Sequence, residues 1–243
     1  MSDGFLSRVA TVGQFLVEDP AQPVLARDGD HHLRAVLRAA PGEAVVVTDG
    51  RGAWAIANVE RDGLARASAV VREPEPEART LYLAPLKGDR SEWAIVKATE
   101  LGVSTIVPLL SARVAVRFRA EARAKVLARW RRLVHEASAQ SRRVYYPTIA
   151  EPTTPSEVPG DVAVADFDGR APWSGVSAVA IGPEGGWDDG EWGAARQRLT
   201  LGPTVLRAET AAVAAATLLA FHGRDWQWRH EPRQLGNDES SYD

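Results

Sequence analysis

Between Glu43 and Val71 short runs of Val, Ile and Ala are separated by Asp-Gly pairs. EAVVVTDG (43–50), AWAIANVE (53–60) and LARASAVV (64–71) read as strands, with Asp49-Gly50 and Asp62-Gly63 as the turns between them. Upstream, DGDHHLRAVLRAAPG (28–42) predicts a short helix with Asp28 or Asp30 as N-cap and Pro41-Gly42 as the stop. Hairpin-linked strands of this kind predict a small barrel over residues 1–72. The charged, proline-punctuated stretch 73–79 reads as a linker.

From residue 80 to 228 the period changes. Strands are predicted at 80–86, 103–110, 162–169, 178–182 and 203–206. Between them lie helices at 89–101 (Asp89 and Glu92 as a capping box, Gly102 as the stop), at roughly 119–141, at 188–198 (Asp188 and Glu191 as the cap) and at 210–221. The long helix carries the stripe Val126, Leu127, Trp130, Leu133, Val134 and Ala137. Continuous apolar strands alternating with helices predict an α/β domain, a parallel sheet covered on both faces. The polar tail 229–243 is expected to be loose.

Composition narrows the chemistry. The 243 residues contain no Cys and five His, none in a His-x-x-x-His pair, so neither disulfides nor a zinc site is expected. Without an 18-residue apolar run or a signal-peptide pattern, a cytoplasmic protein is the expectation. Net charge is −3, yet Arg113–Arg143 holds ten Lys or Arg against Glu121 and Glu136, so this segment carries +8 on an otherwise acidic chain. Charged residues commonly just solvate a helix face; an imbalance this large favours contact with phosphate.

In open parallel sheets ligands bind beyond the carboxyl ends of the strands. Three predicted loops lie at such ends: Asp166–Gly169, Gly182–Gly186 and Leu206–Thr210. Gly-Pro-Glu-Gly-Gly reads either as a tight strand-to-helix turn or as backbone that approaches a ligand; it is neither a P-loop nor Gly-x-Gly-x-x-Gly. Glu209 reads either as a first-turn acid or as a functional carboxylate, and Arg207 as half of an ion pair or as a site residue. Trp93 and Trp130 are expected in the core. Trp187, beside the glycine corner, is expected to pack rather than stack on a base.

The ordered pair IGPEGG and LGPTVLRAETAA resembles the cofactor-binding end of the SPOUT-class methyltransferases. HHLRAVLRAAPGE, VVVTDGRG, LKGDRSEWAIVKATELGVSTIVPLLSAR and RWRRLVHEASAQSRR extend the resemblance, from about His31 to Phe221, to the bacterial 16S ribosomal RNA uridine N3-methyltransferases. That resemblance implies a PUA-like β-barrel that docks RNA, then a SPOUT domain with a parallel sheet and a deep trefoil knot. It also implies a homodimer, S-adenosylmethionine as cofactor, no metal, and 16S rRNA of the small subunit as partner, with no membrane. The cofactor would lie on the backbone of Ile181, Gly182, Pro183, Glu184, Gly185 and Gly186, with Asp166 nearby and Leu201, Gly202, Val205 and Leu206 opposite. The chain departs from the family at Ala208, where Thr is usual, and at Ala139, where Glu is common, whereas Gln140 and Arg143 match.

On this reading Glu209 is the candidate base for the uracil N3 proton and Arg207 the group that orients the base or stabilises its anion, with Glu184 as a second carboxylate. The cations facing RNA would be Arg34 and Arg38 of the barrel and Arg90, Arg113, Arg132, Arg142 and Arg143, together with Gln140. Two rivals stand beside it: a SPOUT enzyme that methylates another RNA nucleotide, and an RNA-binding assembly factor without catalysis.

Overall fold

The computed structural model describes residues 3–114, 120–170, 173–194 and 196–222. After helix α1 (Asp3–Val9), strand β1 (Gln14–Leu16) lies parallel to β2 (Ala44–Thr48). Between these strands comes α2 (Arg27–His31), which runs on as a π-helical turn over His32–Val36. Asp28 and Asp30 do not cap it. Ala26 holds the N-cap position without a side-chain bond, and both acids sit in the first turn, where their charge favours the dipole. The helix also stops before Pro41: the chain turns at Arg38, whose φ is 54°.

Strands β3 (Ala53–Glu60) and β4 (Gly63–Arg66) continue the sheet antiparallel, and β5 (Val71–Arg72) pairs with the start of β3. The third predicted strand is therefore two short ones. At the break, the Ile56 carbonyl accepts from both Ala67 and Ser68, and Ile56 N–H donates to Ser68 Oγ at 2.9 Å, two residues opposing one. Phe15, Val17, Leu33, Val45, Val47, Ala55, Ala57 and Val59 form the core of this half. Residues 73–79 run without helix or strand.

The second half is an all-parallel six-stranded sheet. Its elements are β6 (Thr80–Leu83), α3 (Arg90–Glu100), β7 (Thr105–Pro108), α4 (Ala120–Gln140), β8 (Thr148–Ile149), β9 (Ala163–Ala165), β10 (Ala178–Ile181), β11 (Arg198–Leu199) and α5 (Ala208–His222). The spatial order is β11-β9-β10-β6-β7-β8, so β10 inserts between β9 and β6. α3 stops at Gly102 (φ 94°): Gly102 N–H bonds Thr99 O and Val103 N–H bonds Ala98 O, the Schellman pattern that glycine permits. Asp89 makes no capping bond, and Glu92 instead takes Arg129 at 2.6 Å.

Alternate residues of the strands face two different layers. Leu81, Leu83, Ala163, Val179 and Ile181 pack with α3, α4 and α5, where Trp130 and Val134 of the predicted stripe are buried. Val164 and Ala180 face the other way, toward Leu109, Val158 and Trp192. That second layer is loop, not helix, because the predicted helix 188–198 is absent among its described residues. Gly190 takes φ 77°, which a right-handed helix does not allow, and Arg198–Leu199 is spent on β11. Residues 203–206 form no strand. Trp93 is 47% exposed, so it is not the core residue its helix position suggested. The predicted tail 229–243, with Arg117 and Arg119, lies outside the described residues.

The two halves share a polar seam. Just after α4, Gly52 N–H bonds the Val144 carbonyl and Tyr146 N–H bonds the Gly50 carbonyl, so segment 144–146 adds itself to the first half. Val144 is buried against Val46 and Trp54, and Tyr145 Oη donates to the Glu73 carbonyl at 2.8 Å. Arg143 sends Nη1 to the carbonyls of Thr99 (2.6 Å) and Val103 (2.8 Å), while its own carbonyl accepts from Gln14 Nε2 at 2.5 Å. Burial, with Arg79 nearby, lowers the Arg143 guanidinium to about 10. Arg142 (φ 59°) donates to the carbonyls of Thr11 and Ala139.

Candidate active site

A cavity of about 780 Å³ opens at the carboxyl ends of β9, β10 and β11. It falls within the roughly 300–1,000 Å³ typical of small-molecule and cofactor sites. Three loops wall it: Asp166–Asp168 after β9, Gly182–Gly190 after β10, and Thr200–Arg207 before α5. Arg90, at the first turn of α3, comes from a fourth strand end.

The glycine corner is shaped by contact as much as by its turn. Gly186 N–H bonds the Pro183 carbonyl at 2.9 Å, and a Cβ on Gly182 would meet the Trp187 ring at 3.1 Å. Trp187 is fixed in turn: its Nε1 donates to Ala165 O at 2.9 Å, and its ring lies edge-on to Trp192. Hence Trp187 packs, although it also lines the cavity. Asp188 N–H donates to Glu191 Oε2, so the expected capping contact forms locally without a helix. Glu191 also accepts from Ala112 N–H (2.7 Å) and Ser111 Oγ (3.2 Å), which anchors the loop to the far side of the sheet.

Most residues expected at the cofactor line the cavity: Asp166, Ile181, Gly182, Pro183, Glu184, Gly186, Leu201, Gly202, Val205 and Leu206. Gly185 is not among them; its carbonyl faces Arg113 Nη1 at 3.2 Å. Arg207 lines the cavity, whereas Glu209 stands behind its wall. The Glu209 side chain is 14% exposed, with Oε1 3.9 Å from Arg90 Nε and with Oε2 buried and unpartnered. Arg90 also reaches Glu184 Oε1 at 3.5 Å, and the same oxygen accepts Lys87 N–H at 3.3 Å. Arg90 therefore joins the two carboxylates. Sequence reasoning had set it among the RNA-facing cations. The signal that would have found it is the rule that pointed to the other three loops, since Asp89-Arg90 follows another strand of the same sheet. The Asp166–Arg198 ion pair was also missed.

The remaining expected RNA contacts divide in two. Arg38 and Gln140 are exposed. Arg34 is paired with Asp30 (2.7 Å), Arg113 with Asp188 (2.8 Å) and Arg132 with Glu136 (3.6 Å), while Arg142 and Arg143 are committed to the seam. Arg129 and Arg131 of α4 are likewise paired, with Glu92 and Glu151. Of the ten cations counted along the sequence, Arg113, Arg129 and Arg131 are therefore answered by acids elsewhere in the fold, and Arg132 by Glu136 of its own helix.

The residues present fit a cofactor that bears a cation. The cavity has apolar walls at Ile181, Leu201 and Leu206 for a flat base, exposed peptide at the glycine corner, and carboxylates at its rim. Among the described residues no group of three or more His, Asp or Glu could hold a metal, and no helix is long and apolar enough to cross a membrane.

Residues 73–220 match the RNA methyltransferase domain family, and residues 31–67 the RNA methyltransferase PUA domain. The ribosomal RNA small subunit methyltransferase E of Mycobacterium bovis is 34% identical, over 77% of this chain and 82% of that protein. The structure of a Legionella pneumophila methyltransferase with the cofactor SAM bound has a TM-score of 0.75 at 28% identity, covering 86% of this chain and 96% of that one. The ribosomal RNA small subunit methyltransferase E of Neisseria gonorrhoeae, bound to S-adenosyl methionine, has a TM-score of 0.68 at 30% identity, over 84% and 94% of the two chains.

Proposed function

The chain belongs to the family of the ribosomal RNA small subunit methyltransferases E, and from that premise we propose that it methylates N3 of a specific uridine in 16S ribosomal RNA. The observation that carries this reading is the cavity at the ends of β9, β10 and β11, with two carboxylates held on Arg90 beside it. When bound there, S-adenosylmethionine supplies an electrophilic methyl group. Ile181, Gly182, Pro183, Glu184 and Gly186, with Leu201, Gly202, Val205 and Leu206 opposite, would hold it, with Asp166 at the edge.

The chain must supply the rest. Uracil N3 is a poor nucleophile until it loses its proton. Glu209 is the residue assigned to take that proton: its Oε2 lies just behind the cavity wall without a partner, an unfilled acceptor site that a small shift of the wall would open to the base. Arg207 stabilises the negative charge that the proton leaves on the base. Arg90 keeps the other Glu209 oxygen engaged, which fixes the direction of the free one. The PUA domain and the exposed cations, Arg38 among them, hold the surrounding RNA by its phosphates.

The enzyme works as a cytoplasmic homodimer. α5 (AETAAVAAATLLAFH) is apolar on nearly every face, a pattern that calls for cover on all sides. It packs on α3, and Trp93 of α3 and Phe221 of α5 are exposed.

The test is methyl transfer from labelled S-adenosylmethionine to small ribosomal subunits from a host lacking this gene, followed by identification of the product nucleoside. A single N3-methyluridine is expected. Label on a different nucleotide removes the assigned substrate. No label, with no cofactor binding in a parallel titration, overturns the enzyme reading.

A further inference from the structure

A turn at Asp166–Gly169 closes with Gly169 N–H on the Asp166 carbonyl at 3.2 Å, and Phe167 stands at its tip. The ring is 62% exposed and lines the cavity. A solvated turn tip is ordinarily polar. This one carries a large apolar ring, yet the turn is tied to the neighbouring strand on both sides. Asp166 N–H bonds the Leu199 carbonyl at 2.9 Å, and its carboxylate pairs with Arg198. On the other side Arg170 N–H bonds the Arg198 carbonyl at 3.0 Å. Gly169 lies so close to β11 that a Cβ there would run into the Leu199 carbonyl carbon. The backbone is thus pinned to β11 on both sides of Phe167, while the ring itself stays free in the mouth of the cavity.

We infer that Phe167 is the stacking platform for the target base after it leaves the RNA stack. The inference rests on the methyltransferase reading and adds a substrate-positioning residue to it. Extruding a base costs a few kcal/mol of lost stacking, and an aromatic face recovers part of that whatever the base. A ring carried on backbone already fixed at the mouth meets the incoming base without ordering a loop first. Its exposure sets it toward the entering base. The cofactor is assigned to the glycine corner and the stretch before α5, with Asp166 at its edge, and Phe167 is the next residue outward.

The experiment compares Phe167→Ala, Phe167→Leu and Phe167→Trp by four measurements. These are kcat/KM on small ribosomal subunits lacking the modification, the S-adenosylmethionine Kd by calorimetry, subunit binding, and the unfolding midpoint. For Phe167→Ala, kcat/KM is expected to fall about 5- to 150-fold, the ~1–3 kcal/mol of one base–aromatic stack at 1.36 kcal/mol per tenfold. Cofactor Kd, subunit binding and the unfolding midpoint stay within about twofold or unmoved. Phe167→Trp restores most of the loss, and Phe167→Leu, apolar without a π face, restores little. A cofactor Kd that weakens with kcat/KM would assign the ring to the adenine and overturn the inference. Unchanged kcat/KM in Phe167→Ala, or full rescue by Phe167→Leu, overturns it as well. Failure of the underlying reading is distinct, because the unaltered protein would then transfer no methyl group to N3 of uridine.

Discussion

Arginines at two places, both expected from the sequence to face RNA, have different partners. At the seam Arg143 and Arg142 donate to neutral backbone carbonyls, four contacts in all, at Thr99, Val103, Thr11 and Ala139. At the cavity Arg90 has Glu184 and Glu209 beside it. A guanidinium that bonds carbonyls carries its charge into the interior and ends there as a bracket between elements. One set between carboxylates leaves acceptor oxygens that a ligand can use. The chemistry of the partner, more than the burial of the arginine, separates scaffold from site.

That contrast can be broken by substitution. The largest effect is expected for Glu209→Gln, which keeps the shape but removes the proton acceptor. Turnover should fall about 10²- to 10⁴-fold, with cofactor Kd and unfolding midpoint unmoved; retained turnover would move the base to another group. Arg143→Ala should do the reverse. It leaves the Thr99 and Val103 carbonyls without their donor and should cost about 2–4 kcal/mol in denaturant unfolding. The folded fraction should keep kcat, and the Gln14 bond survives because it uses the Arg143 carbonyl. A fall in kcat without a fall in stability would place Arg143 with Arg90 instead.

Smaller effects sharpen the comparison. Arg142→Ala should cost about 1–2 kcal/mol, and Arg142→Gly less, since glycine accepts φ 59° without strain. The smallest concerns pH. His135 is exposed but lies edge-on to Tyr146 at 5.5 Å, and the partial desolvation on that side lowers its pKa below the usual 6.5. The unfolded chain then binds the proton more readily, so its part of the stability is present above about pH 6.5 and lost as pH falls below that. In His135→Gln this acid-side loss should shrink, seen as a flatter unfolding midpoint from pH 7 to 5.

The same contrast explains what could be read in advance. β2, β3, β6, β10 and the stop at Gly102 follow from short-range signals, namely apolar runs and a residue able to take positive φ. The cavity loops were found because a parallel sheet has only one end at which to bind. The helix at 188–198 was misjudged because Asp188 and Glu191 do make their local contact. What decides the segment lies elsewhere: Glu191 also holds Ala112, Trp192 is drawn under the sheet, and Gly190 turns the chain. The partners of Arg142 and Arg143 could not be read in advance for a related reason. A charged pair after a helix looks the same whether water, phosphate or the carbonyls of another element receive it.

Gly52 sits beneath the Tyr145 ring so closely that any side chain there would occupy the ring's place. The two residues lie 93 positions apart, one in each half, so neither half is an interchangeable part. A chimera that grafts this PUA half onto another methyltransferase half must carry the Gly52–Tyr145 fit across the junction. Shuffling at residues 73–79, where the chain looks easiest to cut, would separate the two and yield halves that do not close.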